Sequence, residues 1–235
     1  MELDERLKHG IERLILLPVR VRHRARARRK HAARVAALAT VRRTLEGAST
    51  LKSESVKTVF NVGMFVLLLD QDLAYFTDDL ITAIGDRKRA FIAKHEAVLL
   101  YEAAEDLPQL LGREFRGAVT GVGASDSQVA RLNAVTSDLN KFWREHREFL
   151  GKVRNTLGAH RAHDALEYSQ GLDELKPLEV MALAVKLSGL LEGLIAVLTD
   201  IASLTASPAA IRRDMMASRA AVSPLAVDDR TRRNL

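Results

Sequence analysis

The densest group of residues that could do chemistry lies between positions 154 and 164. His160 and His163 are three residues apart and are followed by Asp164, and imidazole and carboxylate groups with such spacing can bind zinc. A closed zinc site needs four ligands. No further ligand is evident near by, and the sequence contains no cysteine. We therefore expect neither a metal nor a cofactor.

The same segment also has the composition of an ordinary helix end. Gly158 is a typical residue for terminating a helix, and the side chains of Arg154, His160 and Arg161 are cations or potential cations. Positive charge in the last turn interacts favourably with the helix dipole. Composition taken alone favours this structural interpretation.

The order of the residues favours a functional interpretation. Arg154 is followed directly by the polar Asn155 and, after four further residues, by His160. This arrangement resembles the Arg-x(4–6)-His signature of the HEPN superfamily. HEPN motifs lie late in the chain at the end of a long helix, as residues 143–153 would provide here. Residues 99–112 look like the earlier helix of HEPN proteins from abortive-infection systems.

The resemblance covers residues 55–205 and implies an all-α, HEPN-like helical bundle that cleaves RNA without a metal ion. It implies catalytic roles for Arg154, Asn155 and His160. Histidine can transfer protons near neutral pH, and arginine offers a permanently charged fork to phosphate oxygens. The Asn155 amide could orient the phosphate or the histidine.

Three further side chains are candidates for supporting roles. His163 could be a second acid or base, although a surface position is the simpler interpretation. Glu102 and Glu105, on the earlier helix, could raise the pKa of His160 if they reach it. A solvated helix face explains both glutamates equally well. His95 and Glu96, near by in sequence, are expected to be solvated.

The spacing of the motif suggests how it would be assembled. On a straight helix, residues six apart, such as Arg154 and His160, point about 120° away from each other. Either Gly158 ends the helix and turns His160 back, or two chains share one cleft. HEPN proteins usually work as dimers, so we expect a homodimer. Some toxin subfamilies carry a tyrosine two residues after the histidine, where this chain has Ala162.

Two main functional hypotheses follow from these residues. The first is a HEPN-type endoribonuclease acting as a toxin or phage-defence effector, with RNA as substrate and an antitoxin or defence-system protein as a further partner. The second is a non-catalytic HEPN-like module that binds RNA, nucleotide or a partner protein. A helical scaffold without a ligand is a third possibility.

Positive charge is concentrated at the beginning of the chain. Residues 1–50 contain 13 Lys/Arg against 5 Asp/Glu, whereas the other 185 residues contain 23 against 25. The basic segment could hold RNA by phosphate contacts or could be a solvated helix. The candidate RNA-binding residues are Arg20, Arg22, Arg24, Arg26, Arg28, Arg29 and Lys30.

Helical periodicity dominates the rest of the chain, and no strand pattern competes with it. An Arg-rich N-terminal helical arm, residues 1–48, is expected to precede the bundle of residues 49–206, and a polar tail covers 207–235. The arm is expected to begin with a helical element that Pro18 interrupts and to continue as a long basic helix at 19–46. The other predicted helices are 53–84, 87–111, 127–157 and 178–204, with Gly112 as a C-cap, Ser125 or Asp126 as an N-cap, Pro177 at a first helical position and a loop at 117–124.

No segment satisfies the criteria for a membrane span of about 20 nearly uncharged residues. The apolar run Val62–Leu69 is short and is followed by Asp70, and charged residues such as Lys186 interrupt Val180–Leu204. The acidic N-terminus is unlike a secretory signal. We therefore expect a cytoplasmic protein without membrane contact.

Overall fold

The computed structural model describes residues 17, 21, 30–49, 53–158 and 165–205. Within these residues the chain is all-α and has no strand, which confirms the all-α part of the expected fold. The elements are α1 (30–49), α2 (Glu54–Thr82), α3 (Asp86–Leu110), α4 (Arg113–Gly121), α5 (Asp126–Val153), a π-helical turn (Arg154–Gly158), α6 (Ala165–Glu174) and α7 (Pro177–Thr205). The arginines at positions 20–29 and the tail 207–235 lie outside the described residues.

Several helix ends follow from local sequence signals. Ser125 caps α5 in a capping box: its hydroxyl accepts from the Gln128 backbone N–H, and the Gln128 side chain accepts from the Ser125 N–H at 2.9 Å. Pro177 occupies the first position of α7 as predicted. Between α2 and α3, Gly85 has φ 88°, a left-handed conformation that glycine adopts without a steric penalty.

Two predictions near the middle of the chain are wrong. The expected loop at 117–124 is largely occupied by α4, which buries Phe115, Ala118 and Val119; this burial outweighs the weak helix propensity of a segment rich in glycine and β-branched residues. Gly112 is not the C-cap of α3 either. The C-cap is Leu111, and Gly112 precedes α4 with an ordinary φ of −74°.

The long helix α3 lies at the centre of the described bundle and contacts α2, α5, α6 and α7. Its buried face combines small residues with leucines, which lets neighbouring helices approach closely. The core-facing side chains of this helix are Ala90, Ala93, Ala97, Leu100, Ala103, Ala104 and Leu107. Helices α2, α5, α6 and α7 thus all pack against α3.

The described half of the basic helix packs on the bundle. In α1, Arg34 donates from Nε to the Asp70 carboxylate of α2 at 2.5 Å, and both side chains are largely buried. Lys30 forms an exposed ion pair with Glu192 of α7 at 2.5 Å. Helix α1 therefore contacts two bundle helices and runs through residue 49.

Two described helices, α2 and α7, are long and apolar enough to cross a membrane by length and composition alone. In this structure they pack against each other and against α3, and both supply core residues. The absence of a membrane segment therefore stays a prediction.

The expectation that Glu96 is solvated is wrong, whereas His95 beside it is exposed as expected. Glu96 is fully buried, and Thr77 of α2 donates a hydrogen bond to its Oε1 at 3.0 Å. Its Oε2 has no hydrogen-bond partner among the described residues. Burial raises the pKa of Glu96 to about 7, with the Thr77 hydrogen bond acting in the opposite direction.

Removing the cation of the buried pair should destabilise the protein. Arg34→Ala leaves the Asp70 carboxylate buried without its partner, and we expect a loss of about 3 kcal/mol in the free energy of unfolding. Arg42→Ala on the same helix is the control, because Arg42 is exposed and forms an ion pair with Glu46 one turn away; its expected cost is below about 0.5 kcal/mol. Urea denaturation measures both. Equal losses would show that the buried pair does not hold α1.

Glu96 should make stability depend on pH. Because the folded-state pKa of Glu96 is raised, its protonated carboxyl makes its full contribution to the free energy of unfolding below pH 4.5. This contribution is lost as the pH rises to about 7. We expect unfolding free energy to fall by about 2 kcal/mol more between pH 5 and pH 8 in the wild type than in Glu96→Gln, which cannot ionise. Exposed Glu102→Gln on the same helix is the control and should behave as the wild type. Identical pH profiles for wild type and Glu96→Gln would contradict this assignment.

Candidate functional site

The motif arginine and asparagine lie on an unusual turn at the end of α5. The helix ends at Val153 and continues as the π-helical turn Arg154–Gly158, whose last residue is where the sequence predicted a break. Leu157 anchors the turn, since it is 2% exposed and belongs to the core. π-helical turns are rare and recur at functional sites. The backbone therefore changes geometry at the two residues that carry the motif.

Helix α6, which the sequence did not predict, covers this turn. Gly171 of α6 lies so close that a Cβ there would come within 2.9 Å of the Leu157 side chain. Lys94 of α3, itself buried, donates to the Tyr168 hydroxyl of α6 at 3.3 Å and lies 5.5 Å from the centre of that ring. Helix α6 is thus fixed on one side to α3 and on the other to the π-helical turn.

The Arg154 guanidinium is held against an aromatic ring. Its Cζ lies 5.0 Å from the centre of the Tyr101 ring of α3, within the range of a cation–π interaction. The side chain is half-buried, and its Nε has no hydrogen-bond partner among the described residues. Arg154 is therefore oriented by packing, and its polar Nε is not used by the described part of the chain.

Tyr101 also meets Trp143 of α5. The two rings are 5.0 Å apart between centres and inclined at 76°, an edge-to-face geometry. The tyrosine ring lies next to Gly151 of α5, where an added Cβ would be in ordinary van der Waals contact, 3.4 Å from Tyr101 Cε2. Tyr101 thus packs on α5 beside both Trp143 and Arg154.

Tyr101 and Trp143, which we call the aromatic corner, line an open groove of about 550 Å³. The exposed Arg147 and Lys152 add two positive charges to its lining, and Glu148 adds one negative charge. The groove residues are Tyr101, Trp143, Arg147, Glu148, Gly151, Lys152 and Asn155. The exposed Asn155 therefore belongs to a groove with an aromatic wall and net positive charge.

The structure does not place the predicted supporting glutamates in the groove with Asn155. Glu102 is exposed and Glu105 half-buried on α3; neither lines the groove, and neither forms an ion pair with Arg154 in the described structure. His160 and His163 lie outside the described residues. Their approach to Arg154, and any effect of the glutamates on His160, stay predictions.

Among the described residues, no group of three or more histidine, aspartate or glutamate side chains could hold a metal ion. The cluster His160, His163 and Asp164 lies outside that part of the chain. Lys30 is the one described member of the predicted RNA-binding set, and its ammonium is paired with Glu192.

A histidine that the sequence did not single out lies near the groove but not in its lining. His146 of α5 packs edge-to-face on Phe142, and the Lys186 ammonium of α7 is 3.1 Å from its Nε2. Partial burial, and then the charge of Lys186, lower the pKa of His146. The same lysine donates to Glu145 at 2.9 Å, which lowers the pKa of that carboxyl. This cluster joins α5 to α7.

The groove residues that sequence reasoning missed are Tyr101, Trp143, Arg147 and Lys152. The aromatic pair is separated by 42 positions, and helical periodicity assigned both rings to apolar faces. The sequence signal that could have indicated a positively charged groove is the presence of two cations, Arg147 and Lys152, within the last two helical turns before the Arg154–Asn155 pair.

Comparison with protein-family models, curated proteins and solved structures yields no match. The resemblance to HEPN proteins therefore rests on the motif residues and their helical setting.

Proposed function

We propose that this chain is a metal-independent endoribonuclease of HEPN type, a toxin or phage-defence effector that acts in the cytoplasm without membrane contact. One observation carries the proposal. The Arg154 guanidinium is oriented on the Tyr101 ring, with its Nε buried and without a hydrogen-bond partner among the described residues, and the adjacent Asn155 lines a positively charged groove. An oriented guanidinium next to such a groove supports the proposal of a phosphate-binding site.

The proposed reaction is attack of an RNA 2′-hydroxyl on the neighbouring phosphorus. The bond from O2′ to phosphorus forms, the bond from phosphorus to the leaving O5′ breaks, and the products are a 2′,3′-cyclic phosphate and a 5′-hydroxyl. His160 transfers a proton, either from O2′ or to O5′. Arg154 stabilises the negative charge that develops on the phosphate oxygens, and Asn155 orients the phosphate.

Preorganisation supports the assignment of Arg154 to charge stabilisation. An arginine that is already fixed by a ring, and by burial of its stem, loses little side-chain entropy when it binds a phosphate. The exposed Arg147 and Lys152 raise the local concentration of a polyanion at the groove. The predicted basic residues at 20–29 would extend this attraction along the RNA.

A homodimer completes the proposed site. Arg154 and His160 point about 120° apart on a straight helix, and a two-fold axis would let each cleft take Arg154 from one chain and His160 from the other. Antitoxin or defence-system proteins are the natural further partners of such an effector. The runner-up function is the non-catalytic HEPN-like module, which keeps the binding groove but does not cut RNA.

Substitutions in the motif should separate these functions. His160→Ala should reduce the cleavage rate at least ~100-fold, the usual scale for loss of a general acid/base. Arg154→Ala should be similarly impaired, and Arg154→Lys should recover little because an ammonium lacks the bidentate fork. The measurement is the initial rate of cleavage of a labelled RNA, with circular dichroism as a check on folding. His95→Ala, an exposed histidine on α3, is the matched control and should keep the wild-type rate.

The same proteins test the motif assignment and the shared cleft. An inactive His163→Ala combined with an active His160→Ala would show that the motif is assigned wrongly. Wild-type rates in both Arg154→Ala and His160→Ala would leave the binding module as the function. If two chains share each cleft, mixing the inactive Arg154→Ala and His160→Ala proteins should restore up to about a quarter of the activity, because half of the dimers are mixed and each has one intact site.

A further inference from the structure

The proposed cleavage chemistry uses Arg154, Asn155 and His160; of the aromatic corner it uses only Tyr101, as the ring that orients Arg154, and it gives Trp143 no role. Trp143 and Tyr101 are both only half-buried, and both line the groove that Asn155 lines. A large aromatic ring that is left partly accessible beside positive charge has the properties of a stacking surface for a planar, electron-rich or anionic ligand.

We propose that the aromatic corner is a base-binding subsite, which takes one unpaired nucleobase of the RNA next to the phosphate held at Arg154. The inference rests on the proposed function for its position in the reaction, but binding can be measured without cleavage. It makes Trp143 and Tyr101 specificity-determining residues that position the RNA strand and take no part in bond breaking.

The geometry of the corner suits one planar ring. Because the two side chains meet at 76° with their centres 5.0 Å apart, a base that stacks on the face of one ring is bounded at its edge by the other. Arg154 is already placed over Tyr101, so Trp143 is the ring with which we expect the base to stack. A base stacked on Trp143 is separated from the motif arginine, Arg154, by the Tyr101 side chain only.

The charges around the corner are arranged for a nucleotide rather than for an apolar ligand. Arg147 and Lys152 lie on the same helix five positions apart and can contact phosphates that flank the base. Glu148, between them in sequence, supplies a carboxylate that can accept from the amino group of a base. An aliphatic or lipid ligand would leave these three charged side chains without a function.

The subsite implies a preference for single-stranded RNA. A base in a duplex is already stacked and paired, and it must be extruded before it can lie on Trp143, at a cost that unpaired loops do not carry. Each base that stacks on an aromatic side chain gains enough free energy to change affinity by about 10-fold or more.

Trp143 is the only tryptophan in the sequence, so its fluorescence reports directly on this corner. We would titrate the full-length protein with a 2′-O-methyl RNA oligonucleotide, which cannot be cleaved because the attacking hydroxyl is blocked. An abasic oligonucleotide with the same number of phosphates is the comparison. We expect the first to quench Trp143 emission and to bind about 10-fold more tightly than the second.

Substitution of Trp143 is the second part of the experiment. Trp143→Leu should weaken binding of the labelled 2′-O-methyl oligonucleotide about 10-fold, measured by fluorescence anisotropy, and should leave binding of the abasic one unchanged. Phe91→Leu is the matched control, because Phe91 is an exposed aromatic residue of α3 that does not line the groove, and it should bind as the wild type does.

Equal affinity for the two oligonucleotides, together with unquenched Trp143, would overturn the base subsite. If unmodified RNA is nevertheless cut, the proposed ribonuclease function survives that result. Conversely, quenching by the 2′-O-methyl oligonucleotide without cleavage of unmodified RNA would support the subsite while removing the ribonuclease function.

Discussion

The close packing of α3 against α5 is the constraint on which the candidate site depends. Tyr101 of α3 lies next to Gly151 of α5, with its ring against Trp143 and against the guanidinium of Arg154. Small buried residues on α3, such as Ala97 and Ala104, permit the approach. The groove is therefore a consequence of how the core is filled and not of a loop added to it.

Much of the fold could be predicted from periodicity and caps. Residues 53–84 were expected to be helical, and α2 covers Glu54–Thr82; the signals at Ser125 and Pro177 lie at helix starts as expected. The predictions are wrong where packing in the tertiary structure decides whether a segment is helical or a side chain is buried, because local propensity does not contain that information. The segment around Val119 is helical and buries its apolar side chains. Glu96 of α3 is buried where it accepts a hydrogen bond from Thr77 of α2, a contact between two helices that the local sequence does not reveal.

The candidate site was predictable only as far as its residues are adjacent in sequence. Arg154 and Asn155 stand out by their order, whereas Tyr101 and Trp143 acquire significance from packing between two helices. Residue types could not distinguish a core tyrosine from one that supports an arginine. Nor could they indicate that a π-helical turn starts at Arg154, since local propensity does not distinguish it from a continued α-helix.

The central claim is that the motif residues Arg154, Asn155 and His160 cut RNA with the substrate's 2′-hydroxyl as the nucleophile and without a metal ion. Incubation of the purified protein with RNA in excess EDTA, followed by analysis of the product ends, tests it most directly. The account predicts cleavage that chelation does not reduce, products ending in 2′,3′-cyclic phosphate, and no cleavage at a position where the 2′-hydroxyl is replaced by hydrogen. Cleavage that EDTA abolishes and zinc or magnesium restores, with 3′-hydroxyl ends, would contradict it.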